Sequence, residues 1–83
     1  MSASNTVNQL TWRSRRGMLE LELLLQPFVR RELPTLTPEE RKLYARLLEH
    51  DDWDIFEWLQ GREAPADEEL LAILERVRHA NQP

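Results

Sequence analysis

The chain has 83 residues, 41% hydrophobic and 31% charged, with a net charge of −4 and no cysteine. This composition suits one small soluble domain with a modest core, and it excludes disulfides, zinc–thiolate centres and thiol chemistry. The acidic balance argues against nucleic acid as the main partner, since DNA binding draws on a basic surface, and no apolar run approaches the roughly 20 residues of a membrane span.

The N-terminal stretch MSASNTVNQL is too polar for a secretory signal and lacks the spread arginines of a transit peptide. From Asn5 to Arg16, NTVNQLTWRSRR reads as a short first helix with Asn5 or Thr6 at its N-cap. Gly17 interrupts it. On helix rules the glycine is a hinge that needs a positive φ. The next helix is predicted from Met18 to about Leu33. Its Leu21, Leu24, Leu25 and Phe28 recur at i, i+3, i+4 and i+7 and form a core-facing stripe. Pro27 falls inside this pattern, which predicts a kink or break near Gln26. Pro34 ends the segment.

The clearest local signal is TPEE. Thr37 is the N-cap, Pro38 the first helical position, and Glu40 completes a capping box. This third helix is expected to reach about Glu49 and to bury Leu43, Tyr44, Leu47 and Leu48. In HDDWDIFEWLQG, Asp51 is placed to cap a fourth helix, Asp52 and Asp54 favour its positive end, and Gly61 suits a left-handed stop. Trp53, Phe56 and Leu59 are expected along its packed side, with Trp58 displaced. Asp67 then caps a last helix with Leu70, Leu71, Ile73, Leu74 and Val77 turned inward. No stretch alternates in the strand manner. The expected fold is therefore all-α, a small single-domain bundle of four to five short helices over residues 1–83, with 1–5 and 80–83 flexible.

Charge is uneven. The basic residues of the first 31 positions are Arg13, Arg15, Arg16, Arg30 and Arg31, against Glu20 and Glu22, whereas positions 39–69 are strongly acidic. No nucleophile–base set stands out, and Ser2, Ser4 and Ser14 lie in or near the N-terminal segment. With only Gly17 and Gly61 there is no phosphate-cradling loop. His50 beside Asp51 and Asp52 reads as a solvated helix end rather than a metal site. Trp53 is expected to pack, and Trp12 and Trp58 are open between packing and an interface. Leu19 and Leu23 fall on the outer side of the second helix, either as stray exposed residues or as the centre of a docking surface. At the junction, Arg16 and Glu20 would lie close together if the helix continued, flanking a flat spot at Gly17.

At this point RRGMLELELLLQPF resembles the signature of the succinate dehydrogenase flavinylation (FAD) assembly factors, whose core motif is Arg-Gly-x-x-Glu. Here that motif is Arg16-Gly17-Met18-Leu19-Glu20. LLEHDDWDIFEWL, with Asp51, Asp52, Asp54, Phe56, Trp58 and Leu59, resembles the second block of the family, and PADEEL the start of its last helix. Glu22 stands where bacterial members often carry aspartate.

The resemblance implies a five-helix, non-enzymatic assembly chaperone of the bacterial cytoplasm. Such a factor binds the flavoprotein subunit of succinate dehydrogenase, and often that of fumarate reductase. FAD becomes attached to the partner, and none is held stably by the factor. It implies partner binding through Arg16, Gly17 and Glu20, with Arg15, Leu19, Leu23, Asp51 and Asp52 around them. No nucleic-acid partner, metal or membrane insertion is expected, and the free chain is expected to be a monomer. The alternatives are an antitoxin-like protein that neutralises a membrane-associated toxin, and a small DNA binder using Arg13, Arg15 and Arg16.

Overall fold

The computed structural model describes residues 5–82, so expectations for residues 1–4 and for Pro83 lie outside the described residues. Five helices follow one another: α1 (Val7–Arg13), α2 (Leu19–Arg31), α3 (Pro38–Leu47), α4 (Asp52–Gln60) and α5 (Leu70–Ala80). A single 3₁₀ turn at Leu33–Thr35 contains Pro34 and separates α2 from α3. There is no strand among the described residues, and the all-α expectation holds.

Local chemistry accounts for the helix starts. Thr6 caps α1, its hydroxyl accepting from the Gln9 N–H at 3.1 Å while the Gln9 side chain accepts from the Thr6 N–H. Thr37 and Glu40 make the same reciprocal pair at α3, at 3.1 and 2.9 Å. That box holds the Glu40 carboxyl below its ordinary range, chiefly through the Thr37 backbone N–H, with Arg76 adding to it. At α4, Asp51 has the extended N-cap backbone, but its side chain makes no cap hydrogen bond. Gly61 ends α4 with φ of 79°, the left-handed stop expected of it. Asp67 accepts from the Glu69 N–H at 3.1 Å and opens the turn that leads into α5.

The helix break expected near Gln26 does not occur: α2 runs through Pro27 to Arg31. Proline removes only one N–H, whose partner would be the Leu23 carbonyl. Leu23 lies on the exposed side of the helix, where solvent can reach a carbonyl left without its donor. The first helix is shorter than expected, closing at Arg13. Ser14, placed by sequence in or near the N-terminal segment, is buried. Its hydroxyl donates to the Leu10 carbonyl at 2.8 Å and meets the Tyr44 hydroxyl at 2.6 Å.

The core joins one stripe from each helix. Leu21, Leu25 and Phe28 of α2 face Leu70, Ile73, Leu74 and Val77 of α5, with Tyr44 and Leu47 of α3 and Ile55 of α4 closing the sides. Leu24 and Leu43 are only partly buried against this core. Two expected inward residues are outside. Leu71 is exposed, and Trp53 is 61% exposed while Trp58 is buried. The buried stripe of α4 is Ile55, Trp58 and Leu59, spaced i, i+3, i+4, so the phase expected from Trp53 and Phe56 is wrong by part of a turn. At the C-terminus Ala80 is helical and buried, and the Asn81 amide donates to the Leu24 carbonyl at 2.7 Å. The chain is thus tied to α2 inside the segment set apart as flexible.

Tyr44 is the only tyrosine in the sequence and is fully buried. Burial pushes its hydroxyl up to about 12, and the Ser14 hydrogen bond and the charges of Arg16 and Arg13 oppose that rise. Between pH of about 10 and about 12 the unfolded chain gives up the phenolic proton and the folded chain keeps it. The unfolded state then binds fewer protons, so stability falls as pH rises through that window, by roughly 2–3 kcal/mol. Urea unfolding at several alkaline pH values should show the decline, and Tyr44→Phe should remove it. A pH-independent midpoint in the parent chain would contradict the assignment.

Candidate functional site

The linker from Ser14 to Met18 passes from the end of α1 to the start of α2. Gly17 sits at its exposed centre. Two internal reasons for a glycine can be checked here, and neither applies. Its φ is not positive, since Gly61 alone has that conformation among the described residues. A Cβ built at Gly17 would meet nothing within 4 Å. The hinge expected to need a left-handed backbone is therefore an ordinary linker, and the missing side chain is not explained by anything inside the fold.

The expected proximity of Arg16 and Glu20 through a continuous helix also fails, because the chain leaves α1 at Arg13 and re-enters a helix only at Leu19. Arg16 is turned inward, with its side chain 15% exposed. Its Nε donates to Asp52 Oδ1 at 2.7 Å. Nη1 donates to the Arg13 carbonyl at 3.1 Å and the Leu48 carbonyl at 3.0 Å, and Nη2 to the His50 carbonyl at 2.9 Å. The guanidinium thus satisfies carbonyls left over at the ends of α1 and α3 and pairs with the first residue of α4.

The other expected site residues face outward. Arg15 lies over the Trp12 ring, 5.4 Å from its centroid. Leu19 is 65% and Leu23 62% exposed, as the outer-face placement requires. Glu20 is exposed in the first turn of α2, where its charge suits the helix dipole. Asp51 is exposed beside Asp52, and the Arg16–Asp52 pair ties this acidic corner to the Gly17 linker. Linker and helix corner, 36 residues apart in sequence, are therefore one piece of surface.

Two large aromatics escape a reading by sequence. Trp53 follows Asp52 directly and stands outside the core, its ring 6.0 Å from that of Phe56. Trp12 is 65% exposed. The signal that locates Trp53 is its phase relative to Ile55, whose i+3 and i+4 partners are the buried Trp58 and Leu59.

Chemistry is sparse. Among the described residues no group of three or more His, Asp or Glu side chains is placed to hold a metal ion. His50 is exposed at the end of α3 with its ring edge-on to Trp58 at 5.0 Å, a packing role. Every buried side-chain nitrogen or oxygen among the described residues has a hydrogen-bond partner, so none is left aimed at a ligand. No helix among the described residues is long and apolar enough to cross a membrane. What the site offers is a surface: a side-chain-free spot at Gly17, with exposed Trp12, Leu19, Leu23 and Trp53 and the exposed charges of Arg15, Glu20 and Asp51 on α1, α2, the linker and the start of α4.

The arginines of the DNA-binding alternative are mostly engaged within the fold. Arg13 donates to the Ala45 carbonyl at 3.1 Å and Arg16 is held as described, leaving Arg15 alone of the three directed outward.

Known proteins resemble this chain over nearly its whole length. A family model described as flavinator of succinate dehydrogenase matches residues 8–81. The FAD assembly factor SdhE of Pseudomonas putida is 42% identical over 83 residues, covering 100% of this chain and 99% of its own. Its counterpart in Pseudomonas syringae pv. tomato is 46% identical over 77 residues, 93% of this chain and 92% of that protein. The protein of the same name from Legionella pneumophila (strain Paris) is 43% identical over 74 residues, 89% of this chain and 92% of its own.

Proposed function

The chain belongs to the succinate dehydrogenase flavinator family, and on that premise we propose that it promotes covalent attachment of FAD to the flavoprotein subunit of succinate dehydrogenase by binding that subunit. The flavoprotein of fumarate reductase is proposed as a second client. The reading makes the chain a cytoplasmic assembly factor, monomeric when free, with FAD as the cargo of its partner.

One observation carries the docking mode. Gly17 is exposed, has no conformational need to be glycine, and has empty space where a side chain would go. A surface that keeps such a spot bare suits the close approach of another protein's backbone. In the proposed complex Gly17 lies at the contact, Glu20 and Arg15 make polar contacts, and Leu19 and Leu23 supply apolar area. Asp51 extends the surface across the acidic corner.

The attachment chemistry is assigned to the flavoprotein and its flavin. Binding favours the conformer in which the acceptor histidine of the flavoprotein and the flavin are aligned, a shift of population that raises the fraction of productive encounters. Such a factor needs no nucleophile of its own.

The test is a deletion strain whose flavoprotein subunit is run on a denaturing gel and scanned for covalent flavin fluorescence. The band should fall sharply and return with the parent gene. With Glu20→Ala it should return only in part, by a factor of about 10 for loss of a charged contact at an interface. An undiminished band in the deletion strain sinks the function, and full rescue by Glu20→Ala sinks the role of that residue.

A further inference from the structure

The Arg16 side chain is the most heavily hydrogen-bonded in the site and the one least available to a partner. Its partners are the carbonyls of Arg13, Leu48 and His50 and the Asp52 carboxylate, all at 2.7–3.1 Å. These acceptors come from three places: the last turn of α1, the end of α3 with the turn after it, and the start of α4. The residue is also the immediate neighbour of Gly17 in the chain.

We propose that Arg16 is a positioning residue. It locks the Gly17 linker against the α3–α4 corner, and Asp52 belongs to that lock rather than to the contact surface. The proposal deepens the docking mode above and rests on that reading. It removes two residues from the expected contact list and gives them a different task.

The physical case has three parts. The middle of the linker, Arg16 and Gly17, lies outside both helices, while its far end is held at Met18, whose carbonyl accepts from the Leu21 and Glu22 N–H groups at 3.1 Å and whose side chain packs against the core. The Arg15 N–H reaches the Trp12 carbonyl at 3.0 Å, and the Ser14 hydroxyl anchors only its start. Without Arg16, the glycine would sample many positions, and binding would have to order it. Second, the acceptors suit a guanidinium. Its fixed planar fork spans several acceptors at once, whereas a lysine ammonium is a compact point charge. Third, the same lock fixes Asp51 and Trp53, the neighbours of Asp52, relative to Gly17. One side chain thereby sets the geometry of both halves of the surface.

The test uses the full chain in two measurements. In the first, apo-flavoprotein, FAD and increasing amounts of this protein are mixed, and the rate of covalent flavin attachment is followed to saturation. A lost lock raises the half-saturating concentration of Arg16→Lys by about tenfold, as expected when preorganisation is removed, and leaves the plateau rate unchanged. Asp52→Asn gives a smaller shift in the same direction. The double variant is no worse than Arg16→Lys alone, because both act on one network.

In the second, amide hydrogen exchange of the free chain is measured. Arg16→Lys should speed exchange in residues 14–18 and leave the core amides of α2 and α5 slow. Weakened docking with unchanged linker exchange would mean that Arg16 touches the partner directly and would overturn the proposal. A lowered plateau would do so too, as would unaltered docking. If Arg16→Lys loosens the core as well, Asp52→Asn decides on the same two criteria. A parent chain that fails to stimulate attachment sinks the function instead, and the exchange measurement still tests the lock.

Discussion

A chain carrying Gly17→Arg is expected to fold like the parent and to lose its stimulation of flavin attachment. The two halves of this expectation come from different observations. Folding survives because the position is exposed, its φ is not positive, and a Cβ there meets nothing within 4 Å. An added side chain has room, and replacing glycine restricts the unfolded chain, which can stabilise by about 0.4–1 kcal/mol. Docking fails because a long cation would enter a contact that has no partner for it. Burying an unpaired charge costs about 3–5 kcal/mol, or a loss of about 100-fold and more. Gly17→Leu separates bulk from charge and should lose a large part of the activity without adding charge. Thermal unfolding and the flavin-attachment rate, measured on the same preparations, check both halves. Normal stimulation by Gly17→Arg would end the view of Gly17 as a contact point.

The largest effect on stability is expected at Phe28. Its side chain is fully buried in the C-terminal half of α2 and packs on the Tyr44 ring, with centroids 4.9 Å apart. Truncation to alanine leaves a cavity between α2, α3 and α5. Such changes cost about 3–5 kcal/mol, a large share of the roughly 4–12 kcal/mol available to a domain of this length. The midpoint of thermal unfolding should fall by at least about 12 °C. A fall under about 5 °C would mean that the surrounding helices close the gap. Leu23→Ala, on the outer face of the same helix, is the matched control.

Some features were legible because they are local. The Thr37–Glu40 box, the Gly61 stop and the stripe through Leu21, Leu24, Leu25 and Phe28, in which Leu24 is only partly buried, each depend on residues within about two turns of one another. They came out in the structure as the spacing implies. The fourth helix was misread for a reason that is equally physical. Trp53, Ile55, Phe56, Trp58 and Leu59 put apolar area on nearly every side of nine residues, so more than one stripe can be drawn. Packing against α2 and α5 selects the one containing Ile55 and Trp58. The outward leucines and the bare glycine of the candidate site could be named from the sequence. The inward turn of Arg16 could not, because three of its acceptors lie at positions 48, 50 and 52. Two of those are backbone carbonyls, which carry no residue-type signal.

Arg16 is one of several arginines that close helix ends or turns from far away. Arg13 reaches the Ala45 carbonyl across 32 positions, Arg41 the Asn5 carbonyl across 36, and Arg78 the Trp58 carbonyl across 20. Helices of this length are marginal alone, since a short segment does not repay its nucleation. Here several ends are completed only when a remote part of the chain arrives. No single helix is a finished unit, and the molecule has no natural place to be divided. Assembly should therefore be all-or-none, with α1 as dependent on α3 as α4 is on α5, and fragments ending inside the bundle should lack the stability of any part of it.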